Sequence, residues 1–171
     1  MRPVPEAEIA KAAIILSIVP PSEAFGLAER LAPILSAART KPLYIDCNAV
    51  SSATVTRIGA VITAAGAPFA DAGIIGGPPM VGYDGPSIYF LRCRTRRGRA
   101  AVALLSEGGL KMRHLDGPVG AASALKMSYA SITKGLTGLA TASILAASRY
   151  GLDRVGSGLG CAPHLRATRR P

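Results

Sequence analysis

The chain has 171 residues, 49% of them hydrophobic, enough for one domain with a real core or for parts of two. Its formal net charge is +10, yet residues 1 to 91 carry six Lys or Arg against seven Asp or Glu, so the basic excess lies wholly in the second half. The longest apolar stretch, Ala12 to Pro21, is broken by Ser17 and is too short to span a bilayer. Glu6 and Glu8 precede it and no small-residue cleavage site follows, which excludes a signal peptide and makes the cytoplasm the expected compartment.

Ile14 to Val19 is a continuous β-branched and aliphatic run stopped by Pro20 and Pro21, the pattern of a strand buried on both faces of a parallel sheet. Ser22 is positioned to cap a helix in which Leu27, Leu31, Ile34 and Leu35 recur at helical spacing as far as Ala38. Leu43 to Cys47 reads as a second strand. Ser51 and Ser52 can cap the next helix, which places Val55, Ile58 and Ile62 on one face and ends at Gly66. Ala67 to Ala70 reads as a third strand, and residues 71 to 86, rich in Gly and Pro, as a loop.

Ser87 to Leu91 is a fourth strand. It is followed by an arginine run (Arg92, Arg94, Arg96, Arg97, Arg99), a short helix from Ala100 to Glu107 and a strand from Lys111 to Leu115. Asp116 can cap a long helix from about Pro118 to Arg149. In it Leu125, Tyr129, Ile132, Leu136 and Leu139 step by four and three as a buried stripe, while Lys134 faces away. Gly135 and Gly138 predict a kink or a tight helix contact. The glycine- and arginine-rich residues 154–171 have no apolar period and read as a disordered tail.

Alternation of strands and helices predicts an α/β fold with a parallel sheet and right-handed crossovers. Three cysteines, Cys47, Cys93 and Cys161, form no CxxC pair and are expected to be reduced. Cys161 and His164 lack the further ligands that a zinc site needs, so no metal is expected.

Three segments in order resemble the β-hydroxyacid dehydrogenase superfamily, which includes 3-hydroxyisobutyrate and 6-phosphogluconate dehydrogenases. The first is IILSIVPP from Ile14 with YIDCNAVS from Tyr44, similar to the family's last cofactor-domain strands and the loops after them. The second is DAGIIGGPP from Asp71, similar to its substrate loop. The third is GPVGAASALKMSYA from Gly117, similar to the glycine-rich start of the helix that presents a lysine; GLD at Gly151 to Asp153 falls where the family ends that helix.

The resemblance implies the second half of a Rossmann-type doubly wound sheet over residues 1–116. It also implies a long helix over 117–153 that opens an all-α domain. It further implies NAD or NADP as cofactor, a small hydroxy acid or related carbonyl compound as substrate, and a homodimer formed through the C-terminal helix. Lys126 would be the general acid or base at the substrate hydroxyl, because an alcohol proton must leave as its carbon gives up hydride. Val19, Pro20, Asn48 and Gly120 would face the cofactor. Gly76, Gly77 and Tyr129 would face the substrate, the glycines by letting backbone amides approach a carboxylate. Gly117 and Gly120 would bring the positive end of the helix close to a bound anion.

Several positions depart from the family. Ile75 replaces the serine before the glycine pair, Tyr129 and Ala130 replace asparagines after the lysine, Thr133 stands where decarboxylating members carry a glutamate, and Ala49 replaces a threonine beside Asn48. Nothing before Ile14 resembles GxGxxG, the loop that holds the cofactor pyrophosphate. The chain is therefore expected to be truncated at both ends, with Arg92 to Arg99 and the tail read in shifted frames. The alternative is an inactive fragment or dimerising interaction module. A nucleic-acid binder ranks below both, because few aromatics are available to stack on bases.

Overall fold

The computed structural model describes residues 3–91 and 96–150. Cys93, Arg92, Arg94, Cys161, His164, the GLD segment and the tail from residue 154 all lie outside that set. The chain divides into two compact units, residues 1–129 and 130–171.

In the first unit a short helix, α1 (Glu6–Ile9), precedes a five-stranded sheet of order β1-β2-β3-β4-β5. The strands are β1 (Ile14–Ser17), β2 (Leu43–Asp46), β3 (Phe69–Ile75), β4 (Ser87–Leu91) and β5 (Lys111–Leu115). The connecting helices are α2 (Ala24–Ala37), α3 (Ser52–Ala64) and α4 (Arg96–Glu107), and α5 (Ala121–Ser148) follows β5. The result is an α/β fold with a mostly parallel, Rossmann-like sheet and a long C-terminal helix.

Alternation along β2 builds both layers of the core. Tyr44, with Ile15, packs under Leu31, Leu35, Val55, Ile58 and Ile62 of α2 and α3. Leu43, Ile45 and Cys47 face the opposite layer with Phe90 and Ala101 of α4. β2 is therefore the strand buried on both faces, every residue of it. This corrects the expectation for Ile14 to Val19: β1 is the edge strand, with Leu16 37% and Ile18 61% exposed.

β3 is longer than its sequence suggests and takes in Asp71, Ala72 and Gly73, which read as loop. Asp and Gly are poor strand formers, but β3 is paired on both sides, with β2 in parallel and β4 in antiparallel register. Ladder hydrogen bonds on both edges outweigh that weak local preference. β4 runs antiparallel because a parallel crossover needs about a dozen residues or more, usually with a helix, which the 76–86 loop does not supply. α4 starts at Arg96, four residues before the expected Ala100 and inside the arginine run.

Ser51 caps α3 as expected, its hydroxyl accepting from the Thr54 amide at 3.1 Å. Ser22 does not cap α2, which is entered through a 3-10 turn at Pro21–Glu23.

The second unit begins at Ala130, within α5. Its described part carries Ile132, Leu136 and Leu139 at 66–69% exposure, and Leu125 and Tyr129 of the first unit are 37% and 48% exposed. The expected buried stripe is thus an exposed one. Among the described residues nothing lies within 4 Å of a Cβ built on Gly135 or Gly138, so neither makes a close helix contact there, and α5 runs through both.

Candidate active site

The parallel strands β1 and β2 end together at one edge of the sheet while β3 runs on past them, and a polar row crosses all three at that level. Ser17, Asp46 and Asp71 are register partners on adjacent strands, and all are 0–2% exposed. In open α/β sheets ligands bind beyond the carboxyl ends of the strands, and Val19, Asn48, Gly120 and Lys126 meet this polar row or the loops after it.

Asn48 follows β2 and ties its end to that of β1. Its side-chain amide donates to Ser17 Oγ and Asp46 Oδ2, both at 2.9 Å. Its side-chain oxygen accepts from the Val19 amide at 2.8 Å, and its own backbone amide donates to Asp46 Oδ1 at 3.0 Å. Its hydrogen-bonding groups are thus spent inside the protein, and it shapes the loops at Val19–Pro20 and Ala49, where Pro20 and Ala49 are exposed.

Asp71 is fully buried and caps α5 from another element. Oδ2 accepts from the amides of Gly120, Ala122 and Ser123 at 2.9, 3.0 and 3.2 Å, and Oδ1 accepts from the Ser123 hydroxyl at 2.8 Å. The Ala121 amide donates to the Pro118 carbonyl. An anion does sit at this helix start, as the glycines suggested, but it is the protein's own carboxylate.

Two glycines bring α5 close. A Cβ on Gly73 would lie 2.9 Å from the Ala122 carbonyl oxygen and 3.3 Å from Lys126 Cβ. Gly120 has φ +101, its carbonyl accepts from Ser52 Oγ at 3.0 Å, and a Cβ there would press on Ser52 at 3.1 Å. Gly73→Ala should cost roughly 1–3 kcal/mol, the range for overpacking, because the atom it meets is backbone and has little room to yield. Chemical denaturation of the two proteins checks this.

Lys126, one turn into α5, is half-buried, and its amine donates to the Cys47 carbonyl at 3.2 Å. Burial lowers its pKa below the ordinary lysine value, with Cys47 and Asp46 pulling the other way. Burial likewise raises the Asp46 carboxyl, offset by the Asn48 hydrogen bonds. Gly76 and Gly77 lie just past β3; Gly76 is packed against Tyr83 and Pro86, whereas Gly77 has open space around it. Tyr129 is half-exposed three residues beyond Lys126.

The Cys47 thiol is 2% exposed, and burial pushes its pKa from about 9 up to about 12. It should resist thiol reagents at neutral pH until the protein unfolds, which a denaturant series with a chromogenic disulfide would show. Tyr44 is also raised, from 10 to about 12, chiefly by burial. Groups held protonated by folding stabilise the folded state below their unfolded values and lose that contribution as pH climbs to the folded ones. Stability carried by Cys47 and Tyr44 should therefore fall between about pH 9 and 12. Lys126, lowered on folding, contributes in the opposite sense.

Sequence reasoning named Lys126, Asn48 and Gly120, which meet at this edge, but gave no part in the site to Asp46, Asp71, Gly73 or Ser123, and to Ser52 only a helix cap. The available signal was an acidic residue standing beside apolar β-strand sequence in both YID and DAG. Among the described residues no cluster of His, Cys, Asp or Glu could hold a metal ion, and no helix is long and apolar enough to cross a membrane.

No protein-family model matches the sequence, and no curated protein matches it. Solved structures do. A conserved protein of unknown function, MTH1747, described as structurally similar to 3-hydroxyacid dehydrogenases, is 27% identical; the match covers 88% of this chain and 54% of that one, with a TM-score of 0.63. A 3-hydroxyisobutyrate dehydrogenase from Salmonella typhimurium is 17% identical over 92% of this chain and 55% of its own, with a TM-score of 0.68. An imine reductase from Myxococcus stipitatus, in complex with NAD+, is 18% identical over 95% and 61%, with a TM-score of 0.57. The chain spans between half and two thirds of the length of each, and its fold is the one they share in that span.

Proposed function

We propose that this chain carries the lysine-bearing part of an NAD(P)-dependent oxidoreductase site of the β-hydroxyacid dehydrogenase type, acting in the cytoplasm on a small hydroxy acid or related carbonyl compound. The observation that carries the reading is Lys126. It is a half-buried amine with a lowered pKa, held at the carboxyl end of β2 by a carbonyl, on a helix that the sheet grips tightly. Structural likeness to hydroxyacid dehydrogenases and to an imine reductase with NAD+ supports the same reading.

The nicotinamide ring, when bound, supplies or accepts the hydride. The loops after β1 and β2, exposed at Pro20 and Ala49 and shaped by Val19 and the buried Asn48, would lie against it, with Gly120 bordering the same edge. Their shape is fixed by the Asn48 hydrogen bonds. Gly77, with open space where a Cβ would lie, and Gly76 would let the backbone approach a substrate carboxylate, with Tyr129 as a further substrate contact. Lys126 takes the hydroxyl proton during oxidation and returns one during reduction. Burial favours its neutral form, which makes it a usable base nearer neutral pH than an exposed lysine.

Titration of the purified chain with NADH and NADPH, followed by cofactor fluorescence, tests the proposal. Saturable binding supports it and ranks the two cofactors; no binding at millimolar cofactor rejects it for this chain standing alone. The exposed apolar positions of α5 favour a homodimer through that helix, since contiguous apolar surface is usually covered. Leu136→Lys should then shift a dimer to a monomer in sedimentation analysis.

A further inference from the structure

Lys126 has to be held in place from outside its own helix, because an isolated helix start fixes nothing and the amine is several bonds from the backbone. Three contacts determine where the first turn of α5 lies. Ser52 bonds the Gly120 carbonyl, Gly73 allows the close approach of the Ala122 carbonyl, and Asp71 accepts four hydrogen bonds from Gly120, Ala122 and Ser123. Asp71 and Gly73 are two residues apart on β3, so one strand sets both the end of the helix and its distance. The four donors converge on a fully buried carboxylate, where bonds to a charged acceptor are about twice as strong as neutral ones.

We propose that Asp71 is a positioning residue for the Lys126 amine. By capping α5 across the fold it sets the height of that helix on β3, so that Lys126 reaches the Cys47 carbonyl at the end of β2. Asp71 itself touches no reacting atom. The assignment rests on the reading of Lys126 as the proton-transferring group. Its geometry also closes one option at the site: the Gly120, Ala121, Ala122 and Ser123 amides are all bonded internally and so are not open to an anionic substrate group.

The test uses the full chain and needs no cofactor or turnover, so its failure is distinguishable from failure of the functional reading. In lysine-selective nitrogen-15 spectra, an ammonium group held by a carbonyl exchanges slowly with water, and Lys126→Met identifies that signal by removing it. Asp71→Asn keeps the shape, leaves one oxygen acceptor and removes the charge. It should lower the exchange protection of the Gly120, Ala122 and Ser123 amides by about tenfold and broaden or abolish the Lys126 signal. Ser123→Ala, which deletes one of the four bonds, should do the same to a smaller degree and serves if Asp71→Asn does not fold. Loss of amide protection with an unchanged Lys126 signal would overturn the proposal and leave Asp71 a helix cap only. Unchanged protection would overturn it as well.

Discussion

Asp71→Ala should destabilise the protein by roughly 3 kcal/mol or more, since each buried donor left unsatisfied costs about 1–3 kcal/mol, and abolish the cooperative transition in a marginal background. The carboxylate is 0% exposed and accepts from three amides and one hydroxyl. Alanine leaves all four donors buried, and an unsatisfied buried group costs about 1–3 kcal/mol. A typical domain has only about 5–15 kcal/mol of stability, so this one truncation takes a large fraction. Urea titration followed by far-UV dichroism measures it. A midpoint within error of wild type would show that water replaces the carboxylate and that the cap contributes little.

If the proposed function holds, Lys126→Met should lower hydride transfer by about 10²- to 10⁴-fold, the usual contribution of a positioned acid or base, while leaving cofactor affinity and the unfolding midpoint nearly unchanged. Methionine keeps the aliphatic stem, so the packing of that stem near Gly73 survives; only the amine and its bond to the Cys47 carbonyl are lost. Single-turnover transfer separates the chemical step from binding. Equal rates in the two proteins would remove Lys126 from the reaction. In wild type the rate of oxidation should rise with pH through a midpoint below the ordinary lysine value, because burial lowers that pKa and the neutral amine is the base.

Both predictions concern a site whose parts differ in how far a linear reading can reach. Asn48, Gly76 and Gly77 sit in short motifs that follow strands, and Gly120 and Lys126 in one that opens a helix, each legible from its neighbours along the chain. The alternation of apolar strands with helices was equally legible, since periodicity and the residues Ser51 and Gly66 mark α3 at both ends. These signals are local: each is a matter of neighbours within one or two turns, and the chain carries them wherever it folds.

What depended on pairing could not be read that way. β1 and β2 look alike in sequence, and only the strand order makes one an edge and the other fully buried. Asp71 and Gly73 read as loop because their intrinsic preference opposes a strand; two flanking ladders and the cap they supply to α5 reverse it. The stripe from Leu125 to Leu139 has the spacing of a buried face but is exposed, because spacing says which residues share a face and not what covers it. The sequence by itself determined the α/β class and the capped start of α3 at Ser51. The tertiary structure decided which carboxylate holds the lysine's helix, because that bond joins residues 49 to 52 positions apart and exists only once strand and helix have met.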